Sequence, residues 1–165
     1  MISKKLLDAL NYQINREIYS AYFYLGMAAY AASLGFKGFA SWFTIQFKEE
    51  LVHAEKIFNY IGQKNERAVL AAIETPPQDF KSPGDLFERT LEHEKKVTAM
   101  IRGLVGLAKS ENDKETETFL QWFVKEQVEE EATPASILEK LKPAEQDKQN
   151  ILKTDSELAK RTWKG

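Results

Sequence analysis

A glutamate and a histidine in the segment EELVHAE, residues 49–55, have the types and the spacing of metal ligands. Glu50 interrupts a run of apolar residues that repeats every three or four positions, so it lies on the buried face of a predicted helix. His53 follows three residues later and projects from the same face. A carboxylate that is buried without a partner is costly, so we expect a group that compensates its charge.

The same interruption occurs once near the middle of the apolar stripe in each of four predicted helices. The interrupting residues are Glu17, Glu50, Glu94 and Glu130. One buried glutamate could be explained by a hydrogen bond, a raised pKa or an error in the register of its stripe. Four glutamates at one height in a bundle would repel one another strongly at low dielectric constant. Two divalent cations would balance the four charges, and we therefore predict a site for two metal ions.

The ligand types indicate which metals would fit this site. Carboxylates with one imidazole and no thiolate favour Fe(II) or Mn(II) and tolerate Zn(II). We assign Glu17, Glu50 and His53 to one ion. Glu50, Glu94 and Glu130 would hold the other ion, so that Glu50 bridges the pair.

The charge balance of such a site indicates its chemistry. Two adjacent Fe(II) ions could deliver two electrons to O₂ together. Two Fe(III) ions with one bridging oxide again carry four positive charges, which favours oxidation over a purely structural metal. Tyr24 lies seven residues after Glu17, on the same face. It could hydrogen-bond a ligand, supply an electron, or pack in the core.

Long helices are needed to hold these residues at one height. The apolar period and the turn residues predict five helices, over Ser3–Ser33, Lys37–Lys64, Ser82–Ser110, Asp113 or Lys114 to Leu141, and about 144–162. Four long helices of matched length favour an all-α four-helix bundle over about residues 3–141. Residues 65–81 form a long crossover, so helices two and three would run parallel. A short fifth helix follows the bundle.

Pro134 is a departure from the helical pattern, because it falls on the inward stripe of helix four. Proline lacks a backbone donor and clashes with the carbonyl group four residues earlier, here that of Glu130. We therefore predict a kink or a break at this point, with Thr133 helping to restart the helix.

Length and composition limit the class of protein. The 165 residues fit a single domain, and the net charge of −2 without a basic cluster argues against a nucleic-acid partner. The absence of cysteine excludes disulfides and thiolate metal sites, and is compatible with a reducing compartment.

Residues 18–36 are uncharged and long enough to span a bilayer, but their amphipathic period favours a buried helix. Without a signal-peptide core, we expect a cytoplasmic protein away from the membrane.

Across its whole length the chain resembles the non-haem ferritins of bacteria and archaea. The resemblance is carried by NREIYSAYFYL around Glu17, FKEELVHAEK around Glu50 and His53, LEHEKKVT around Glu94, and FLQWFVKEQVEEE around Glu130. A Glu-x-x-His pair on a bundle helix is a ligand pattern of ferritin-like di-iron proteins. The resemblance implies a ferroxidase that binds two irons per subunit and oxidises Fe(II) with O₂ or peroxide. It also implies storage of ferric mineral in a hollow shell, usually of twenty-four identical subunits.

The resemblance also assigns residues that the spacing leaves open. Gln127 matches a residue close to the second iron. Glu49, Glu126 and Glu129 match a third iron site beside the di-iron pair. From the residues alone, these three carboxylates could equally be solvated surface charges.

Two positions separate the chain from haem-binding relatives. Bacterioferritins carry a second Glu-x-x-His on helix four, where this chain has Gln127 and Glu130. Haem-binding relatives have an axial methionine where this chain has Val52, so we predict no haem. The second histidine, His93, lies off the stripe of helix three and is a weaker ligand candidate.

Two other function classes are compatible with the pattern. One is a soluble di-iron oxidase or peroxidase of the rubrerythrin type without iron storage, although the lack of cysteine removes the usual rubredoxin-type electron donor. The other is a metal-free helical scaffold, which requires that the core glutamates are neutral or solvated and that iron does not bind.

Overall fold

Five helices build the fold in the computed structural model, which describes residues 2–142 and 147–165. They are α1 Lys4–Ser33, α2 Lys37–Gln63, α3 Pro83–Ser110, α4 Lys114–Leu141 and α5 Lys148–Leu158. The described ranges contain no strand. The predicted all-α class, with four long helices and a short fifth one, is confirmed.

The ends of the helices lie where the sequence supplies capping groups. The Ser3 hydroxyl accepts a hydrogen bond from the Leu6 N–H at 3.0 Å, and the Ser82 hydroxyl accepts one from the Asp85 N–H at 3.1 Å. Gly35 adopts a φ of 83° between α1 and α2, a conformation that other residues rarely tolerate. The tight turn at Gly35 makes these two helices antiparallel neighbours.

The connection between α2 and α3 crosses the bundle along α1. Near its start the Val69 N–H donates to Asn11 Oδ1 at 2.9 Å, and near its end the Tyr30 hydroxyl donates to the Phe80 carbonyl at 2.5 Å. Because these contacts span most of α1, α3 begins at the end of the bundle where α2 begins. Helices α2 and α3 are therefore parallel, as the long crossover predicts.

The core consists of two apolar clusters, to which all four long helices contribute. The first cluster includes Ile14, Ala54, Val97 and Phe123. The second includes Tyr24, Phe43, Phe87 and Ile137. Along each long helix, the glutamate lies between the residues that belong to the first cluster and those that belong to the second. This division leaves a polar layer at the middle of the bundle.

The predicted three-four stripe through Glu94 places Thr98 and Val105 on the inward face of α3, and the structure differs at both positions. Val97 and Leu104 are buried, whereas Thr98 and Val105 are partly exposed. An α-helix has 3.6 residues per turn, so a strict three-four repeat drifts around its surface. Glu94 keeps its buried position despite this drift.

The predicted break at Pro134 is wrong, because α4 is continuous from Lys114 to Leu141. Pro134 is buried, and the turn after it is anchored by the buried side chains of Ile137 and Leu138. This packing offsets the cost of an interior proline, which is about 3 kcal/mol. Thr133 lies within the helix and does not begin a new one. A bend at this point stays a prediction.

The fifth helix is shorter than the sequence indicates, since it ends at Leu158 and not near Thr162. Its predicted start near residue 144, and the proline at position 143, lie outside the described residues. Helix α5 packs against α2 and contacts α4. Beyond it, Arg161 forms an ion pair with Glu49 of α2, which fixes the path of the chain after the helix.

The uncharged residues 18–36 lie mostly in α1, where Tyr24, Met27 and Ala28 belong to the second apolar cluster. None of the helices in the described part of the chain is long and apolar enough to cross a membrane. Packing within the bundle therefore accounts for the apolar character of this segment.

Candidate metal centre

The four predicted glutamates meet at the polar layer between the two apolar clusters. Glu17, Glu50 and Glu94 are almost fully buried, with at most 2% of their surface exposed, and Glu130 is partly buried. His53 is 5% exposed and lies against the rings of Trp122 and Phe123. Each of the four long helices therefore supplies one carboxylate, and α2 also supplies the imidazole.

The distances between ligand atoms divide the cluster into two overlapping groups. Glu17, Glu50 and His53 form one group whose ligand atoms all lie within 4.8 Å of one another. Glu50, Glu94 and Glu130 form a second group by the same criterion. His53 Nδ1 lies 3.4 Å from a Glu50 oxygen and 3.9 Å from a Glu17 oxygen. The structure brings together the residues predicted for each ion, with Glu50 common to both groups.

Burial and mutual repulsion disfavour ionisation of this cluster in the absence of a cation. Burial, followed by repulsion from Glu94 and Glu17, raises the pKa of Glu50 well above its ordinary value. Burial, followed by repulsion from Glu130, likewise raises the pKa of Glu94 well above its ordinary value. The pKa of Glu130 is raised mainly by burial. A bound cation would reverse this preference and favour the carboxylate forms.

Two buried oxygen atoms of the cluster lack a hydrogen-bond donor. They are Glu17 Oε2 and Glu50 Oε1, and neither receives a hydrogen bond from any residue that the structure describes. Buried polar atoms are normally paired, so these oxygens need either a proton or a cation. Oxygen-rich donors with one imidazole fit Fe(II), and the residues present are therefore suited to bind it.

Glutamine side chains orient two of the carboxylates. Gln13 Nε2 donates to Glu17 Oε1 at 2.7 Å, and Gln46 Nε2 donates to Glu130 Oε2 at 2.9 Å. Neither glutamine was predicted as a site residue from the sequence, although each is buried and lies four residues before a core glutamate. A polar amide one turn before a core glutamate is the signal that could have found them.

Glu94 is held by two further groups that the sequence analysis had singled out. Gln127 Nε2 lies 3.1 Å from a Glu94 carboxylate oxygen, and the Tyr24 hydroxyl donates to the other oxygen. Tyr24 is fully buried, and its ring stacks on Phe43 with the centroids 6.1 Å apart. Burial, followed by repulsion from Glu94, raises the pKa of Tyr24 well above its ordinary value. Tyr24 thus both packs in the core and touches a candidate ligand.

His93 lies apart from both groups, in an aromatic pocket. Its Nε2 atom is 2.7 Å from the Ser20 hydroxyl, and its ring packs between Phe23 and Tyr24. Burial lowers the pKa of His93 to about 4, so the ring is neutral at pH 7. Among the described residues, no candidate metal group includes His93.

The residues expected at a third iron site line one pocket of about 220 Å³ beside the di-metal groups. Glu126 joins His53 and Glu130 in a third group of ligand atoms within 4.8 Å. Glu129 is exposed and lines the same pocket. Glu49 also lines it, but its carboxylate is paired with Arg161 at 2.5 Å. The structure thus brings the three carboxylates to one pocket and adds a cation that the sequence analysis missed.

Comparison with known proteins decides the family of the chain. The model of the ferritin-like domain matches residues 7–144. The chain belongs to the ferritin family. A bacterial non-heme ferritin of Bacteroides fragilis is 41% identical over 161 residues, covering 98% of this chain and all of the relative. One from Staphylococcus saprophyticus is 39% identical over 163 residues, covering 99% of this chain and 98% of the relative.

Solved ferritin structures agree closely with this fold. An open-pore ferritin from the archaeon Archaeoglobus fulgidus is 49% identical and superposes with a TM-score of 0.97, covering 98% of this chain and all of that chain. A humanized archaeal ferritin is 47% identical, with a TM-score of 0.98 and full coverage of both chains. The non-haem ferritin resemblance drawn from the sequence motifs is confirmed. The prediction that this ferritin binds no haem stays a prediction.

Proposed function

We propose that this chain is a ferroxidase and an iron store, which oxidises Fe(II) at Glu17, Glu50, His53, Glu94 and Glu130. The observation that carries the proposal is the convergence of four carboxylates and one imidazole around two buried oxygens without a donor. Burying these five ligand side chains would destabilise the fold unless a cation or several protons neutralised the carboxylates. Membership of the ferritin family makes iron the cation to expect.

The first step is the binding of two Fe(II) ions as substrate. Each carboxylate that is protonated before binding releases its proton, and Glu50 bridges the two ions. Two Fe(II) ions give one electron each to O₂, which takes up two protons and becomes hydrogen peroxide, leaving two Fe(III) ions. Gln13, Gln46 and Gln127 hold the carboxylates in place throughout. Tyr24, which donates to Glu94, is positioned to supply a further electron.

The second step is the transfer of Fe(III) to a mineral inside a shell of twenty-four chains. The close likeness to ferritins over the full chain length supports this part of the proposal. The pocket lined by Glu49, Glu126 and Glu129 is the candidate third iron site beside the centre. A cytoplasmic location also stays a prediction.

The proposal is tested by adding excess Fe(II) to the purified protein in air, followed by gel filtration with iron and protein measured in every fraction. We expect many irons per chain to co-elute with a large soluble species. Replacing a bridging ligand, Glu50→Gln, should slow the oxidation at least tenfold, because one carboxylate contacts both ions. The matched control Glu55→Gln removes an exposed carboxylate from the same helix and should leave the rate unchanged.

Three outcomes would contradict parts of this proposal. Binding of about two irons per chain in a small species, without mineral, would leave a di-iron oxidase and exclude storage. Equal rates for the Glu50→Gln and Glu55→Gln proteins would remove the centre from the reaction. No iron bound at all would favour a metal-free scaffold.

A further inference from the structure

The segment after α5 places a positive charge in the acidic pocket beside the candidate centre. Arg161 Nη2 lies 2.5 Å from Glu49 Oε2, and the guanidinium group stands 4.7 Å above the centre of the Trp42 ring. Glu126 and Glu129 line the same pocket. Arg161 therefore lines the pocket in which a third iron is expected.

The docking of α5 against α2 determines the position of Arg161. The Asp155 carboxylate accepts a hydrogen bond from the Phe39 N–H at 2.8 Å. The Asp155 carbonyl oxygen lies 1.7 Å from the point where a Cβ atom on Gly38 would stand, so α5 approaches α2 as closely as a glycine permits. Arg161 lies three residues after the end of α5, so the contact between α5 and α2 places it beside Glu49.

The bond between Arg161 and Glu49 uses only part of the guanidinium group. Arg161 Nη1 is buried and finds no acceptor among the residues that the structure describes. A guanidinium and a carboxylate can form two parallel hydrogen bonds, but here only one is made. Roughly a quarter of the Arg161 side chain is exposed, at 26%, which leaves it a path to solvent.

The other carboxylates of the pocket have no such partner. Within residues 2–142 and 147–165, Glu126, Glu129 and Glu130 lie beyond 4.0 Å of every lysine and arginine nitrogen, and Glu49 alone is paired. Oxygen atoms of Glu126 and Glu130 lie within 4.8 Å of each other beside this pocket. The pocket thus retains ligands for a divalent cation, and one of them is held by Arg161.

We infer that Arg161 is a resident cation that competes with a divalent metal ion for Glu49. A metal ion bound to Glu49 would lie close to the guanidinium group, and the two positive charges repel. Arg161 therefore opposes the filling of the third position while it holds Glu49. Arg161 forms its ion pair with Glu49 and not with Glu17, Glu50, Glu94 or Glu130, so it should oppose the filling of the other two positions much less. This inference rests on the proposed function, because it concerns the third iron site of that function.

The test measures Zn²⁺ bound per chain by equilibrium dialysis of the assembled protein, since Zn²⁺ is not oxidised. We expect Arg161→Gln to tighten the binding of the third ion by about two- to fivefold, which corresponds to the loss of a partly exposed ion pair. The binding of the first two ions should change much less, because Arg161 forms no ion pair with their ligands among the described residues. The matched control Lys160→Gln removes one positive charge from the neighbouring exposed residue and should have a much smaller effect.

A second substitution assigns the gained ion to the pocket. Adding Glu126→Gln to the Arg161→Gln protein should remove the gain. The inference is overturned if Arg161→Gln leaves the third ion as weak as before or weakens it, or if Lys160→Gln tightens it equally. In those cases the binding of two ions still supports the proposed function. Failure of every variant to bind any ion would instead overturn the proposed function together with this inference.

Discussion

In the proposed function, single carboxyl groups carry most of the chemistry, and their burial side by side creates repulsion inside the fold. Burial raises the pKa of Glu50 and Glu94, so these groups stay protonated to a higher pH in the metal-free protein than in the unfolded chain. Spacing along the chain was enough to predict these two residues and their partner His53. It was not enough to predict the partner of Gln46, because its hydrogen bond to Glu130 joins residues 84 positions apart.

The raised pKa of Glu50 predicts how the stability of the metal-free protein depends on pH. A group whose pKa is higher in the folded protein than in the unfolded chain stabilises the fold in its protonated form. This contribution is fully present below the unfolded-state pKa and is lost as the pH rises through the folded-state pKa. We expect Glu50→Gln to remove this loss, so that the metal-free variant is the more stable protein at pH 8. Each 1 kcal/mol of difference should raise the unfolding midpoint by roughly 2–4 °C.

The measurement is calorimetry of the metal-free proteins between pH 5 and pH 8. The difference between the Glu50→Gln and unchanged proteins should grow with pH, whereas the exposed control Glu55→Gln should show no such trend. Saturating Zn²⁺ should stabilise the unchanged protein more at pH 8 than at pH 5, because fewer protons must be displaced. A constant difference across this range would mean that Glu50 is not held in its protonated form.

Among the elements, the long helices follow local signals and α5 depends on a tertiary contact. The caps at Ser3 and Ser82 lie one residue before the helices that they begin. Pro134 predicted a break in α4, yet packing of the following turn keeps the helix continuous. Helix α5 has one described residue that is buried, Thr154, so its position relies on its contact with α2.

Gly38 is the residue on which the docking of α5 most depends. In the Gly38→Ala protein the new methyl group would meet the Asp155 carbonyl, and overpacking of this kind costs about 1–3 kcal/mol. We expect the amide hydrogens of α5 to exchange at least fivefold faster, while those of α1 and α4 keep their protection. Hydrogen exchange followed by mass spectrometry measures both regions in one experiment.

Gly62 provides the matched control, because it lies in the same helix and nothing stands within 4 Å of its added Cβ atom. Gly62→Ala should leave α5 unchanged and stabilise the helix by up to about 1 kcal/mol. If Gly38→Ala left the exchange of α5 unchanged, the contact with Asp155 would not determine how α5 is held.

At the scale of the whole molecule, the surface carries large apolar side chains that the packing of a single bundle leaves exposed. Five of them lie on α1 and on the connection that runs along it: Tyr12, Tyr22, Leu25, Val69 and Leu70. Val69 is 62% exposed and Leu70 is 67% exposed. If these side chains form one surface, they would suit an interface of the proposed shell.

Leu70→Lys tests the contribution of this surface to assembly. Twenty-four chains of 18.9 kDa would elute near 450 kDa, and we expect the variant to shift towards dimers or single chains, because a buried lysine is costly at an apolar interface. Gel filtration with light scattering measures the mass. The exposed polar residue Gln78, on the same connection, gives the control Gln78→Lys. A full-size Leu70→Lys assembly would place the interface elsewhere.

The sequence by itself determined the helices and the ligand types, because both depend on short spacings. Apolar periodicity, capping residues and the Glu-x-x-His pair are set within a few turns of one helix, and the four stripes share one polar interruption. Only the tertiary structure decided which atoms meet across helices. The pairing of Arg161 with Glu49 joins residues 112 positions apart, and it depends on how closely α5 approaches Gly38. Such contacts follow from helix packing, which local periodicity does not specify.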